Sequence, residues 1–224
     1  DPVLRARLTP SYAVGCKRIL LSDDYLPAVA QPNVELVTSG IRAVEPDAIV
    51  DVEGVKHVVD VIVFATGFHV TDPPYAEHVR GRDGRSLSEV WRGSPRAHVG
   101  TSVHGFPSFF LLQGPNTGLG HSSVLEMIEA QIAHVVDAVR HASSAQAAIE
   151  PRADAQAKWI DDVDRKMRST VWQSGGCASW YIDATGRNST LWPGSIGAFK
   201  KRARFSAADY VRLENGGSNA GAHA

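Results

Sequence analysis

Lys17 and Arg18 stand side by side in Gly15-Cys16-Lys17-Arg18, directly ahead of the apolar run Ile19-Leu20-Leu21. In an extended strand, adjacent side chains point to opposite faces, so the two cations can serve two neighbouring sites. The bland alternative is a solvated basic pair. A second candidate is the stretch from Asp60 to Phe68, where Val61-Ile62-Val63-Phe64 runs into Ala65-Thr66-Gly67. A buried strand ending in small residues brings bare backbone to the carboxyl edge of a sheet, where ligands bind in α/β folds. A third is Gly114-Pro115-Asn116-Thr117-Gly118-Leu119-Gly120, which leads into an apolar-periodic segment from Ser122. Its glycines allow close backbone approach. The helix start beyond them offers free N–H groups and partial positive charge, suited to a group that becomes negative. The fourth is Cys177-Ala178-Ser179-Trp180-Tyr181, with Gly186-Arg187-Asn188 and Leu191-Trp192-Pro193-Gly194 behind it. Taken alone, Trp180 reads more readily as a packing residue than as a ligand.

The elements that must position these residues begin with strands. Strands are expected at residues 17–21, 33–38, 48–52, 58–64 and 108–113. The near-continuous apolar stretch 58–64 has the pattern of a strand buried on both faces. Little in the first 70 residues can cover it, which implies that part of its domain lies elsewhere. Glu53-Gly54-Val55 marks a hairpin turn. Residues 69–107 read as loop. A helix is expected from about Ser122, with Ser123 and Glu126 at capping-box spacing. Its expected core face is Val124, Leu125, Ile128, Ile132, Val135, Val136 and Val139. Residues 142–148 read as a small-residue linker. A second helix opens at Pro151, with Trp159, Val163, Met167 and Val171 recurring every four. Residues 177–205 read as irregular, and from Gly216 the composition is that of a frayed tail.

The chain has 224 residues, one large domain or two incomplete ones at about 150 residues each. Lys and Arg total 23 against 24 Asp and Glu, so no global charge invites nucleic acid. Cys16 and Cys177 cannot build a disulfide framework and lack paired zinc spacing, which points to a reducing compartment, the cytoplasm. His134 and His141 lie seven apart without a third partner, so no metal is expected and both read as surface or helix-end residues. No apolar run approaches the roughly 18 residues of a membrane span, and no secretory signal is visible. The first residues are Asp1-Pro2 rather than Met, which hints at a true beginning upstream.

Read in order, the four stretches resemble the C-terminal half of a class B flavoprotein monooxygenase, in particular the Baeyer–Villiger and 4-hydroxyacetophenone monooxygenase-like members. The similarity runs over residues 9–199. Its specific pieces are Gly-Cys-Lys-Arg with Pro32-Asn33-Val34, Asp-Val-Ile-Val-Phe-Ala-Thr-Gly-Phe, Gly-Pro-Asn-Thr-Gly-Leu-Gly-His-Ser, and Cys-Ala-Ser-Trp-Tyr. The fold this implies is α/β: the C-terminal portion of a flavoprotein with two Rossmann-like dinucleotide-binding domains. Residues 1–67 would be the remainder of the NADP-binding domain and 68–148 the second segment of the FAD-binding domain. Residues 149–224 would be a helical and irregular extension with a disordered tail.

The resemblance further implies FAD and NADPH as cofactors, and transfer of one oxygen atom from dioxygen to a ketone, or to sulfur or nitrogen in some relatives. The catalytic role falls to Arg18, whose permanent charge suits an oxygen-borne anion. Lys17 would meet the 2′-phosphate of NADPH. Ala65, Thr66 and Gly67 would offer backbone to NADP, and Trp180 would hold its nicotinamide ribose. Asn116, Thr117, Gly118 and Val124 would lie beside the flavin ring. No true G-x-G-x-x-G is present for either cofactor; Gly118, Gly120 and Ser123 only approach one. The family's F-x-G-x-x-x-H-x-x-x-W fingerprint is also missing. An N-terminal half of the same enzyme is therefore the implied partner, and the chain alone is expected neither to retain FAD nor to turn over.

Two other classes compete. Gly120-His121-Ser122-Ser123 suggests a hydrolase with Ser122 as nucleophile, but the second glycine of a nucleophile elbow is replaced by Val124. The chain could also act as a non-enzymatic partner module.

Overall fold

Glu53 and Val55 donate their backbone N–H groups to one carboxylate oxygen of Asp51, at 3.0 and 2.9 Å, and this clasp turns the chain. Ser39 Oγ donates to the other oxygen at 2.9 Å, and the His57 ring lies 3.2 Å from it. Burial works to raise the Asp51 pKa, but these hydrogen bonds win and hold it at about 2. In the computed structural model, which describes residues 1–68, 70–176 and 178–213, this turn closes an antiparallel meander. After helices α1 (Pro2–Leu8) and α2 (Tyr25–Val29) come β1 (Ile41–Glu45), β2 (Ala48–Asp51) and β3 (Lys56–Val58). Glu45 faces Ala48 across the first hairpin, and Ile49 faces His57 across the second. These elements belong to one compact unit, residues 1–12 with 19–68.

The expected strand 48–52 and the turn after it are present, as β2 and the Asp51 clasp. β1 carries no alternating apolar pattern, and all five of its residues are exposed. The strands expected at 17–21 and 33–38 are not formed, and of 58–64 only Val58 is in a strand. An extended segment needs a neighbour for its backbone groups and cover for its side chains. Among the described residues that cover is lacking: Leu20 and Leu21 are 81% and 97% exposed, Val63 and Phe64 84% and 78%.

The second unit takes in residues 13–18 and the chain from Val70 onward. Its 70–107 stretch, expected as loop, is instead an ordered body. Helix α3 (Leu87–Trp91) starts in a full capping box: Glu89 N donates to Ser86 Oγ at 3.2 Å, and Ser86 N donates to the Glu89 carboxylate at 2.6 Å. Leu87 and Trp91 pack with Ala76, Ala97, Val103 and Phe106 in one apolar cluster. Residues 108–113 do not form the expected strand, because Ser108 and Gln113 adopt positive φ of 53° and 56°.

Helix α4 (Val124–Ala145) is present, but rotated relative to expectation. Its buried residues are Met127, Gln131, His134 and Ala138, while Leu125, Ile132, Val136 and Val139 are exposed. The polar pair is buried because nearby groups satisfy it. Gln131 Nε2 donates to Gly100 O at 2.9 Å, and its Oε1 accepts from Gln113 N at 2.9 Å. The His134 ring sits between Ala203 O at 2.8 Å and Tyr210 Oη at 2.7 Å, so it is a core residue and not the expected surface one. Ser123 is the N-cap but makes no side-chain cap bond, and Glu126 pairs with Lys200 at 2.6 Å instead of closing the expected capping box.

The expected 142–148 linker is the end of α4 followed by β4 (Ala148–Pro151), so Pro151 closes a strand rather than opening a helix. Helix α5 (Ala153–Met167) buries Trp159, Val163 and Met167 as its period predicts. Short α6 (Val171–Ser174) precedes α7 (Ile196–Arg202), an unforeseen helix capped by Ser195. β5 (Tyr210–Leu213) pairs antiparallel with β4. Trp159 and Trp192 stack 5.7 Å apart at 16° in the main core, with Phe199 edge-on to both and the Arg202 guanidinium 4.4 Å above Trp159. The tail expected beyond Gly216 lies outside the described residues, as does Cys177.

Candidate active site

The positive φ of Asn116, +57°, bends the 114–120 loop back under itself. Asn116 Nδ2 donates to Asn188 O at 2.8 Å and to Leu191 O at 3.0 Å. Farther along, Gly118 N donates to Thr190 O at 2.9 Å and Trp192 N donates to Gly118 O at 2.8 Å. The loop is thus zipped to residues 188–192. A Cβ on Gly118 would stand 3.0 Å from Thr190 O, so a glycine lets the two backbones approach.

That zipper forms one wall of a cavity of about 490 Å³ within the second unit. Arg18, Gly118, Leu119, Val124 and Trp180 line it, together with Tyr75, Leu112 and Thr190. Arg18 Nη1 donates to Leu119 O at 3.0 Å. One backbone carbonyl therefore aims the guanidinium, and none of the described lining residues carries a carboxylate to neutralise it. Trp180 is half exposed, its ring edge-on to Tyr181 at 4.4 Å between centroids. Burial pushes the Tyr181 phenol up, and the charge of Arg18 partly opposes that.

Of the residues expected from sequence, Arg18, Gly118, Val124 and Trp180 are brought together at this cavity. Asn116 and Thr117 are buried behind it and do not line it. Both Asn116 side-chain ends are taken up by protein groups, and Thr117 Oγ1 donates to Gly114 O at 2.7 Å. Lys17 is exposed and outside the lining. Ala65, Thr66 and Gly67 are exposed in the first unit, Gly67 at a φ of +90°.

Tyr75, Leu112 and Thr190 line the cavity although nothing in their local sequence announces chemistry. Arg187 sits in the sequence Gly186-Arg187-Asn188, yet its role is spatial. Its Nη2 donates to Asn116 Oδ1 at 2.6 Å, its Nε to Asp164 at 2.8 Å and its Nη1 to Pro95 O at 3.0 Å. The serine-hydrolase alternative gains no support. The His121 ring, next to Ser122 in sequence, stacks on Trp172, and the His104 ring is held on Pro151 O at 3.0 Å. Among the described residues no His, Cys, Asp or Glu side chains gather as a metal site, and no helix is long and apolar enough to cross a membrane.

No family model matches the chain. A Baeyer–Villiger monooxygenase of Streptomyces coelicolor is 47% identical over 227 aligned residues, covering 100% of this chain and 44% of that protein. An FAD-binding monooxygenase of Aspergillus niger is 35% identical, covering 98% and 37%. The crystal structure of cyclohexanone monooxygenase from Rhodococcus sp. Phi1 bound to NADP+ superposes with a TM-score of 0.80 at 27% identity, over 95% of this chain and 41% of that one. The chain thus spans about two fifths of the length of the proteins it matches.

Proposed function

Since this chain belongs to the Baeyer–Villiger flavoprotein monooxygenases, we propose that it supplies the C-terminal part of an NADPH- and FAD-dependent enzyme that inserts one oxygen atom of dioxygen beside a ketone carbonyl. Oxygenation of sulfur or nitrogen is the variant chemistry within the same reading. The observation that carries it is the Arg18 guanidinium, anchored on Leu119 O and facing a cavity closed on another side by Trp180.

The residues fit the ring end of such a site. A bound FAD would supply the two-electron chemistry and the activation of dioxygen. This chain's part is to hold and shield. Arg18 sets fixed positive charge where negative charge develops, in a cavity whose other walls are largely apolar. α4 starts at Val124 without a side-chain cap, so its first-turn N–H groups remain for an electron-rich edge. Gly118 and Val124 would flank the flavin ring, and Asn116 and Thr117 would shape that wall from behind. Trp180, half exposed at the rim, would hold the nicotinamide end of NADP and help exclude water. Lys17 would take the NADPH 2′-phosphate as a point charge, and Ala65, Thr66 and Gly67 would present backbone to NADP.

The phosphate end has no counterpart here, since no G-x-G-x-x-G is present. Residues 1–67 would complete an NADP-binding domain and 68–148 an FAD-binding domain, both begun by a preceding portion. The exposed α4 stripe of Leu125, Ile132, Val136 and Val139 supports that reading, because a 22-residue helix with a second apolar face calls for a second neighbour. A cytoplasmic setting, with its NADPH supply, goes with this function.

To test it, the chain is joined to the part of the Streptomyces coelicolor relative that it does not match. Retained yellow flavin and ketone-dependent NADPH consumption are expected of the chimera, and of neither property in the chain alone. Retained flavin without any effect of ketones, thioethers or amines on NADPH consumption would refute the proposal.

A further inference from the structure

Each of the three guanidinium nitrogens of Arg187 donates to the scaffold behind the cavity. Its side chain is 10% exposed. It ties three separate stretches together: the Pro95 carbonyl, Asp164 on α5, and the Asn116 side chain in the cavity loop. Asn116 adopts a left-handed φ, and both ends of its amide are engaged, Oδ1 by Arg187 and Nδ2 by Asn188 O and Leu191 O. From Asn116 the backbone runs through Gly118, bonded in both directions to residues 190–192, to Leu119. Leu119 O is the acceptor that aims Arg18. A continuous path of two side-chain hydrogen bonds and the backbone of residues 116–119 therefore joins the two guanidiniums.

We propose that Arg187 is a positioning residue for the cavity: by clamping Asn116 it fixes the 116–119 backbone, and through Leu119 O it fixes the direction of the Arg18 guanidinium. A planar fork with donors in three directions meets three acceptors at once. A lysine ammonium brings charge but not that geometry, so Arg187→Lys is not a conservative change here. Asp164 has a different part. It compensates the buried charge, and Asp164→Asn keeps the Oδ1 acceptor while removing the charge. Its effect belongs to stability.

The kinetic arm of the test rests on the monooxygenase reading; the other arm does not. In the full 224-residue chain, hydrogen exchange of the backbone amides of residues 117–120 is measured for four proteins: the unaltered chain, Arg187→Lys, Asn116→Ala and Asp164→Asn. Faster exchange in the first two variants and unchanged exchange in Asp164→Asn, despite a lower melting temperature, is expected. In the chimera, Arg187→Lys and Asn116→Ala should each lower kcat about tenfold, with KM for NADPH within about twofold. The double variant should be no worse than the worse single one, because both act on one path. Unchanged exchange at 117–120 in Arg187→Lys overturns the proposal. So do additive kcat losses in the double variant, or a kcat loss in Asp164→Asn that matches Arg187→Lys. If the unaltered chimera does not turn over, the enzyme reading fails while the exchange experiment still decides the role of Arg187.

Discussion

Arg18 and Leu119 lie 101 positions apart in sequence, yet the guanidinium of one donates to the carbonyl of the other at 3.0 Å. This bond converts a flexible surface cation into a directed one. In the chimera, Arg18→Ala should lower ketone-dependent turnover about a hundredfold or more, the scale of losing one fixed electrostatic partner. Arg18→Lys keeps the charge but cannot both hold Leu119 O and face the cavity, and should lose about tenfold. Steady-state NADPH oxidation with and without ketone reads both values.

Gly100 makes room for the loop that carries this acceptor. A Cβ there would collide with Thr117 Cγ2 and stand 2.6 Å from Pro115 O, at a φ of +63°. Gly100→Ala therefore combines overpacking with an unfavourable backbone conformation and should destabilise the second unit by about 3 kcal/mol. Urea unfolding followed by tryptophan fluorescence checks this.

His98 gives the second unit a pH dependence with a definite sign. Burial lowers its pKa from 6.5 to about 4; the Asp209 carboxylate, 3.8 Å away, opposes the drop, and His134 and Arg202 add to it. Tyr210 and Trp159 close around the ring without charge. Between pH 6.5 and about 4 the unfolded chain binds a proton that the folded one refuses, so stability falls as pH falls through that window. The loss amounts to roughly 3 kcal/mol at the acid end. His98→Gln should flatten the slope of stability against pH over the same range in denaturant titrations.

The outward stripe of α4 should separate folding from assembly. Ile132 and Val136 are 45% and 40% exposed, so Ile132→Asp with Val136→Asp should change the stability of the chain alone by about 0.5 kcal/mol or less. The same pair should abolish flavin retention in the chimera if the preceding portion seats there. Undiminished flavin in the doubly substituted chimera would remove this face from the assembly.

Much of the candidate site is written locally. The Lys-Arg pair, the Gly-Pro-Asn-Thr-Gly loop and the Trp-Tyr pair each mark themselves by composition, and Arg18, Gly118, Val124 and Trp180 do meet at one cavity. α5 was equally legible, since the core it packs on lies within this chain. The buried face of α4 is not legible from periodicity, because the helix has two usable faces. Periodicity reports that an apolar stripe exists, not whether its cover is present. The face buried here contains Gln131 and His134, whose partners Gly100 O and Ala203 O lie at long range. Val61–Phe64 failed as a strand for a related reason: β propensity needs a neighbouring strand, and no described residues provide one. Arg187 stands in the Gly186-Arg187-Asn188 stretch, but its role is not legible there, because that role lies in three acceptors from three distant stretches.

The near-parallel indoles of Trp159 and Trp192 make the protein its own spectroscopic instrument. Two such chromophores held at fixed mutual orientation produce a strong near-ultraviolet circular dichroism signal that vanishes when specific packing loosens. Trp192 directly follows Leu191, whose carbonyl binds Asn116. An optical readout of that doublet will therefore register any loosening of the segment behind the cavity, without a label and before the chain unfolds.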